Sequence, residues 1–205
     1  MDHPRVRETT EQDEAVVLQL MTEYMTWALA TFEQTYGFAM GMDARHTSAD
    51  LDKFRRPSGL LAIAWADGGA ADGGAADGGS TVDGGAADGD STADGGTGAT
   101  DTAGAEPAGV AALRVQDGGV VEIKRMFVRP GHRGTHLGSE MLDWLLERSR
   151  DDLGARVVRL DSNRFMGDAH RLYESRGFVE RTPYAGSEIP AELQHLWRFY
   201  ELRLG

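Results

Sequence analysis

From Val120 to Arg150 the chain reads VVEIKRMFVRPGHRGTHLGSEMLDWLLERSR. An apolar strand runs into a turn rich in Pro, Gly and Arg, and the turn opens directly into an amphipathic helix. The first helical turn is almost free of bulk. A strand delivered in this way into a helix must belong to a sheet with helices packed on it. The same layout aims several backbone N–H groups, the positive end of a helix dipole and an arginine at one spot. Such a spot binds an anion, and its natural occupant is a phosphate or pyrophosphate. The turn is not a Walker P-loop, because GTHLGS lacks the Gly-Lys-Ser/Thr ending.

The 205 residues suffice for one well-buried domain. Net charge is −12, which argues against a general nucleic-acid binder. The charge is unevenly placed: Asp67–Glu106 holds eight Asp, one Glu and no Lys or Arg, so it carries nine of the twelve excess negative charges. Residues 66–108 are a low-complexity Asp/Gly/Ala-rich stretch that repeats DGG and contains one large apolar residue, Val82. A segment of that composition cannot bury enough surface to offset chain entropy, so it is expected to be a disordered insertion between two strands. It lacks the spaced bidentate acid of calcium repeats. Lysine occurs only at positions 53 and 124, against nineteen Arg. Scarce lysine with abundant aspartate fits a halophilic cytoplasm, where molar salt shortens the Debye length to about 3 Å; GC-rich codon usage explains it equally well. The absence of Cys excludes disulfides, thiolate–metal sites and an acyl-cysteine intermediate. No apolar run approaches the ~20 residues of a membrane span, and the charged N-terminus is unlike a signal peptide. The expected location is cytoplasmic, with no membrane and no nucleic-acid partner.

Periodicity organises the rest. Val6–Thr9 reads as a short strand. A helix follows from Thr10 and Asp13 to about Phe32, with Val17, Leu20, Met21, Tyr24 and Ala28 on one face. Asp50–Phe54 reads as a short helix, and Gly59–Trp65 and Gly109–Val115 as strands flanking the insertion. Val120–Val128 is a strand, Thr135–Asp152 a helix with Leu137, Met141, Trp144 and Leu145 inward, and Ala155–Asp161 a strand. Gly167–Arg176 is a helix closed by Gly177, and Phe178–Arg181 and Leu196–Leu204 are the last strands. The fold class is mixed α/β, a single domain with a central, mostly antiparallel twisted sheet and helices on both faces.

Two motifs at this separation resemble the GNAT superfamily of acetyl-CoA-dependent N-acetyltransferases. The first is Arg133-Gly134-Thr135-His136-Leu137-Gly138, matching Arg/Gln-x-x-Gly-x-Gly/Ala, with His136 where the family usually has glycine. The second is Ala169, Leu172, Tyr173, Gly177 and Phe178, matching Ala-x-x-Leu-Tyr-x-x-x-Gly-Phe. Where the family often has Asn before this helix, the chain has Met166; the nearest Asn is Asn163.

The resemblance implies acetyl-CoA as co-substrate, no metal, and a small-molecule or peptide amine as acceptor; a homodimer is the candidate assembly. It further implies that Met126, Phe127 and Val128 pair with the pantetheine arm like an added strand. The Met126 N–H would polarise the thioester carbonyl. Arg133 and the amides of Gly134, Thr135, His136, Leu137, Gly138 and Ser139 would hold the pyrophosphate. Tyr173 is the expected general acid for the departing thiolate. Glu122 is the candidate base, competing with a water relay and with a surface Glu122–Lys124 ion pair. Unbroken alternation would put Glu122, Lys124, Met126 and Val128 on one face. The implied reaction is direct transfer in a ternary complex, with residues 11–54 and 184–202 shaping the acceptor pocket. The aromatics Tyr24, Trp27, Phe32 and Tyr36 are expected to serve the core. The alternative is a non-catalytic acyl-CoA-binding sensor or partner-binding module of the same fold.

Overall fold

The computed structural model describes residues 5–44, 51–66 and 105–205. Apart from its two ends, the 66–108 insertion lies outside the described residues. Seven strands form one sheet in the order β1-β2-β3-β4-β5-β7-β6. They are β1 (Val6–Glu8), β2 (Gly59–Ala66), β3 (Glu106–Gln116), β4 (Val120–Val128), β5 (Val157–Asn163), β6 (Val179–Arg181) and β7 (Trp197–Arg203). Every neighbouring pair is antiparallel except β4 and β5. The helices among the described residues include α1 (Glu14–Tyr36), α2 (Leu137–Asp151) and α3 (Gly167–Ser175).

The apolar run of β2 is buried on both faces because the sheet carries helices on both sides. Leu61 and Ile63 join Val17, Leu20 and Met21 of α1, together with Val110, Ala112 and Phe127. Leu60, Ala62 and Ala64 join Leu137, Met141, Leu142 and Leu145 of α2 on the opposite face. Thr10 opens the first helical segment: its amide donates to the Asp13 carboxylate (2.7 Å), which also accepts a bidentate bond from Arg7 (2.7 and 2.8 Å). Gly37, at φ +79°, closes α1. The short helix expected near Asp50–Phe54 is a 3-10 turn over Asp52–Phe54.

Two irregularities position the site. The β4–β5 ladder runs only from Val120↔Val157 to Ile123↔Leu160, whereas β5 stays paired with β7 up to Asn163↔Trp197. The sheet therefore splits after Ile123. At the same level β4 is bulged: its register on β3 jumps between Ala112↔Lys124 and Val110↔Phe127, and Arg125 has φ +53°. The bulge reverses the alternation. Glu122 and Lys124 face the α1 side, while Met126 and Val128 pack with Ile123 on the α2 side. The expectation that these four residues share a face is thus corrected: an inserted residue breaks the two-residue period on which it rested.

Candidate active site

The split opens a cleft of about 730 Å³ on the α2 and α3 side of β4. Met126, Phe127 and Val128 form one wall. Arg125 and Met126 fall between rungs of the β3–β4 ladder and beyond the last β4–β5 rung.

The turn after β4 is pinned from outside. Arg129 donates two 2.7 Å bonds to Glu23 of α1 and one of 2.6 Å to the Pro107 carbonyl. A 3-10 turn at Pro130–His132 leads to Gly134 (φ +80°) and His136 (φ +65°), the residue just before α2. His136 thus occupies the left-handed region that glycine enters without strain. The amides of Gly134, Thr135, His136, Leu137, Gly138 and Ser139 have no acceptor among the described residues. These are six successive N–H groups, at the positive end of a 15-residue helix. Arg133, Gly134, His136, Gly138 and Ser139 line the cleft. The Leu137 side chain is instead buried beneath it, and the Thr135 hydroxyl donates back to the His132 carbonyl (2.7 Å). The Arg133 guanidinium lies 5.0 Å from the Trp27 ring centroid.

α3 supplies the facing wall through Gly167, Asp168, Ala169, Leu172 and Tyr173. Tyr173 is 7% exposed, and its hydroxyl has no hydrogen-bond partner among the described residues. Burial pushes its pKa above the ordinary phenol value, with Tyr24, Asp161 and Tyr200 adding to the effect. The group stays protonated and able to donate at any neutral pH. His170 is buried with Nε2 3.2 Å from the Ser162 Oγ, and burial lowers its pKa.

Glu122 lies outside the cleft. It is fully buried; Arg114 (2.6 and 3.1 Å) and Gln116 (2.8 Å) donate to its Oε2, and the Tyr184 hydroxyl (2.8 Å) donates to its Oε1. Lys124 Nζ is 3.0 Å away. The Glu122–Lys124 pair exists, but in the interior and not on the surface. A carboxylate held by four donors is an anchor between β3, β4 and the segment before β7, and it has no lone pair free for a substrate.

A second cavity of about 290 Å³ adjoins the cleft, and the two share Tyr24, Phe165 and Met166. Met25, Ala28, Leu29 and Phe32 of α1 form one side, and Ile189, Pro190, Leu193 and Trp197 the other. Segments 11–54 and 184–202 therefore do meet around one hollow. Tyr24, Trp27 and Phe32 line cavities as well as filling core, which revises the expectation of a purely core role. At the base of the hollow Lys124 donates to Asp161 Oδ2 (2.7 Å). Burial would lower the pKa of Lys124, yet Asp161 and Glu122 outweigh it and hold the ammonium protonated. Burial raises that of Asp161, with Lys124 opposing. Sequence reasoning missed Asp161. Its only signal was an acid directly after the VVRL run of β5.

A split sheet with an amide-lined strand-to-helix turn at the split can hold a phosphate-bearing ligand extended along β4. Residues 88–178 match the acetyltransferase (GNAT) family model. Among relatives, an IAA acetyltransferase of Azospirillum brasilense is 31% identical over 77 residues, 37% of this chain and 50% of that one. An aminoalkylphosphonate N-acetyltransferase of Salmonella typhimurium is 39% identical over 59 residues, 29% and 38% of the two chains. The chain thus spans half or less of the length of these curated relatives. A Thermoplasma acidophilum N-acetyltransferase solved in complex with coenzyme A superposes with a TM-score of 0.59 at 11% identity, covering 97% of this chain and 98% of that one. Residues 88–178 are thus similar to the GNAT family, and the fold as a whole is the one seen in solved acetyltransferases.

Proposed function

We propose that the protein is an acetyl-CoA-dependent N-acetyltransferase that moves an acetyl group directly to a primary amine in a ternary complex. One observation carries this reading: among the described residues, six successive amides without an acceptor and a tyrosine hydroxyl without a hydrogen-bond partner border the same 730 Å³ cleft. The amides of residues 134–139 and the Arg133 guanidinium fit a pyrophosphate. The bulged stretch 126–128 fits an extended pantetheine arm as an added strand. The Met126 N–H, standing off the ladder rungs, is placed to meet a thioester oxygen as negative charge develops there. One such donor is worth ~3 kcal/mol in measured oxyanion sites.

The acceptor enters from the second cavity, past Tyr24, Phe165 and Met166. Its nitrogen attacks the thioester carbonyl carbon; the C–N bond forms as the C–S bond breaks. The coenzyme A thiolate then takes the Tyr173 proton. The net change is RNH3+ plus acetyl-CoA giving RNHCOCH3, CoASH and H+.

Thiol release from acetyl-CoA against an amine panel, at low and at molar salt, tests the reading. Tyr173→Phe should lower kcat about 100-fold, the usual contribution of a positioned acid, with coenzyme A affinity unchanged. A chain that binds coenzyme A but transfers acetyl to no amine would instead be the non-catalytic sensor.

A further inference from the structure

The second cavity limits what the acceptor can be, granted that the acetyltransferase reading of the cleft holds. Its walls are mostly apolar, Met25, Ala28, Leu29 and Phe32 against Leu193 and Trp197, with Ser162 and Asn163 as the uncharged polar side chains, so a body bearing many polar groups would lose more hydration there than the lining replaces. About 290 Å³ is at the small end for ligand sites. The ionic groups lining it among the described residues are Lys124, Arg125, Asp161 and Glu188, two of each sign. A hollow whose fixed charges cancel has no excess field to hold a second ammonium or an added phosphonate.

Asp161 occupies one distinct place. Leu160 makes the last β4–β5 rung, so Asp161 is the first β5 residue past the split, and its side chain is 9% exposed. It faces the α1 side, lines the second cavity, and lies close enough to Tyr24 and Tyr173 to raise both phenol pKa values. Its neighbour Glu122 accepts from Arg114, Gln116 and Tyr184, whereas among the described residues Asp161 accepts from Lys124 and has the Glu122 carboxyl beside it, which raises its pKa further. We infer that this cavity takes a compact, apolar monoamine, and that Asp161 meets its ammonium and accepts the first proton. The amine then attacks as a neutral nucleophile. Asp161 passes that proton to solvent, and the second N–H proton, lost after C–N bond formation, restores Tyr173.

The test pairs turnover with binding. Hexylamine, 2-phenylethylamine, spermidine, glucosamine and aminoethylphosphonate are each assayed with acetyl-CoA and titrated calorimetrically into the coenzyme A complex. The expected result is kcat/KM at least tenfold higher for the first two, and binding of those two weakened at least tenfold by Phe32→Ala. Preferred acetylation of spermidine, glucosamine or aminoethylphosphonate overturns the inference and leaves the acetyltransferase reading standing. Tight binding of the apolar amines without any turnover does the reverse. If no amine binds, the inference fails. Asp161→Asn should lower kcat at least 100-fold with amine KM changed less than threefold. Equal loss in the Lys124→Met/Asp161→Asn pair, which removes both buried charges, confirms that the effect is not an orphaned lysine. Full activity in either variant removes Asp161 from the proton path.

Discussion

His136 shows how one backbone angle explains a departure from a motif. At φ +65° its Cβ sits where only glycine is free of strain. The glycine usual at this place in the family therefore answers a conformational need of the turn, beyond any need for close approach to a ligand. His136→Gly should match the parent within about 0.5 kcal/mol, relief of strain offsetting added chain entropy. His136→Val should cost about 1–3 kcal/mol; thermal melts that rank valine level with glycine would refute the angle. Asp13 is a second residue with a readable consequence. Hydrogen bonds from Arg7, against the opposing effect of burial, hold its carboxyl at about 2, with Thr10 helping. Its folded pKa is depressed, so its contribution to stability is complete above the ordinary value of 3.8 and disappears as pH falls through about 2. The Asp13→Asn variant should melt lower than the parent at pH 7, and the gap should narrow between pH 4 and pH 2.

Among elements, the bulge in β4 does most to create a site. It throws Met126 off the ladder beside the point where β5 departs. Gly109 sits across from this stretch, paired with Val128. A Cβ on it would lie 2.8 Å from the Phe127 carbonyl oxygen and 2.9 Å from Met141 Sδ. Met141 can shift; a paired backbone carbonyl cannot do so cheaply. Gly109→Ala should cost about 1–3 kcal/mol by overpacking, and, because it displaces β4 at the bulge, should weaken coenzyme A binding more than a matched core variant such as Leu145→Val. Urea unfolding and coenzyme A titration of the two variants decide it. The strands and helices themselves were legible because period-two and period-3.6 apolar patterns are long in this chain: β4 runs over Val120–Val128 as its pattern indicates. The anion turn and Tyr173 were legible because they depend on local sequence. The bulge was not, since its pivot, Arg125, carries no glycine or proline to mark it. Every inference about which side chains share a face with Met126 inherited that gap. Asp161 and Lys124 were equally hidden, because their meeting depends on a parallel pairing that only the crossover through α2 creates.

At the scale of the whole molecule, the acidic stretch leaves and re-enters the sheet at one place. Ala66 pairs with Glu106, and Trp65 with Pro107, so the chain between them begins and ends on neighbouring strands. Closing a long loop costs more entropy than closing a short one, by about 0.6 kcal/mol for each doubling of length. Replacing residues 67–105 with a four-residue turn shortens the connection by roughly three doublings, so the variant should be about 2 kcal/mol more stable. The same replacement removes eight of the molecule's aspartates, and with them most of its excess negative charge. The described lining residues of both cavities lie outside that span. Activity at low salt should therefore be unchanged, and a loss of turnover there would mean the stretch takes part in catalysis. At molar salt the two explanations of its composition separate. An acidic stretch that serves solvation in brine predicts that the shortened protein precipitates under conditions where the full chain stays soluble. Codon bias predicts that light scattering does not distinguish them.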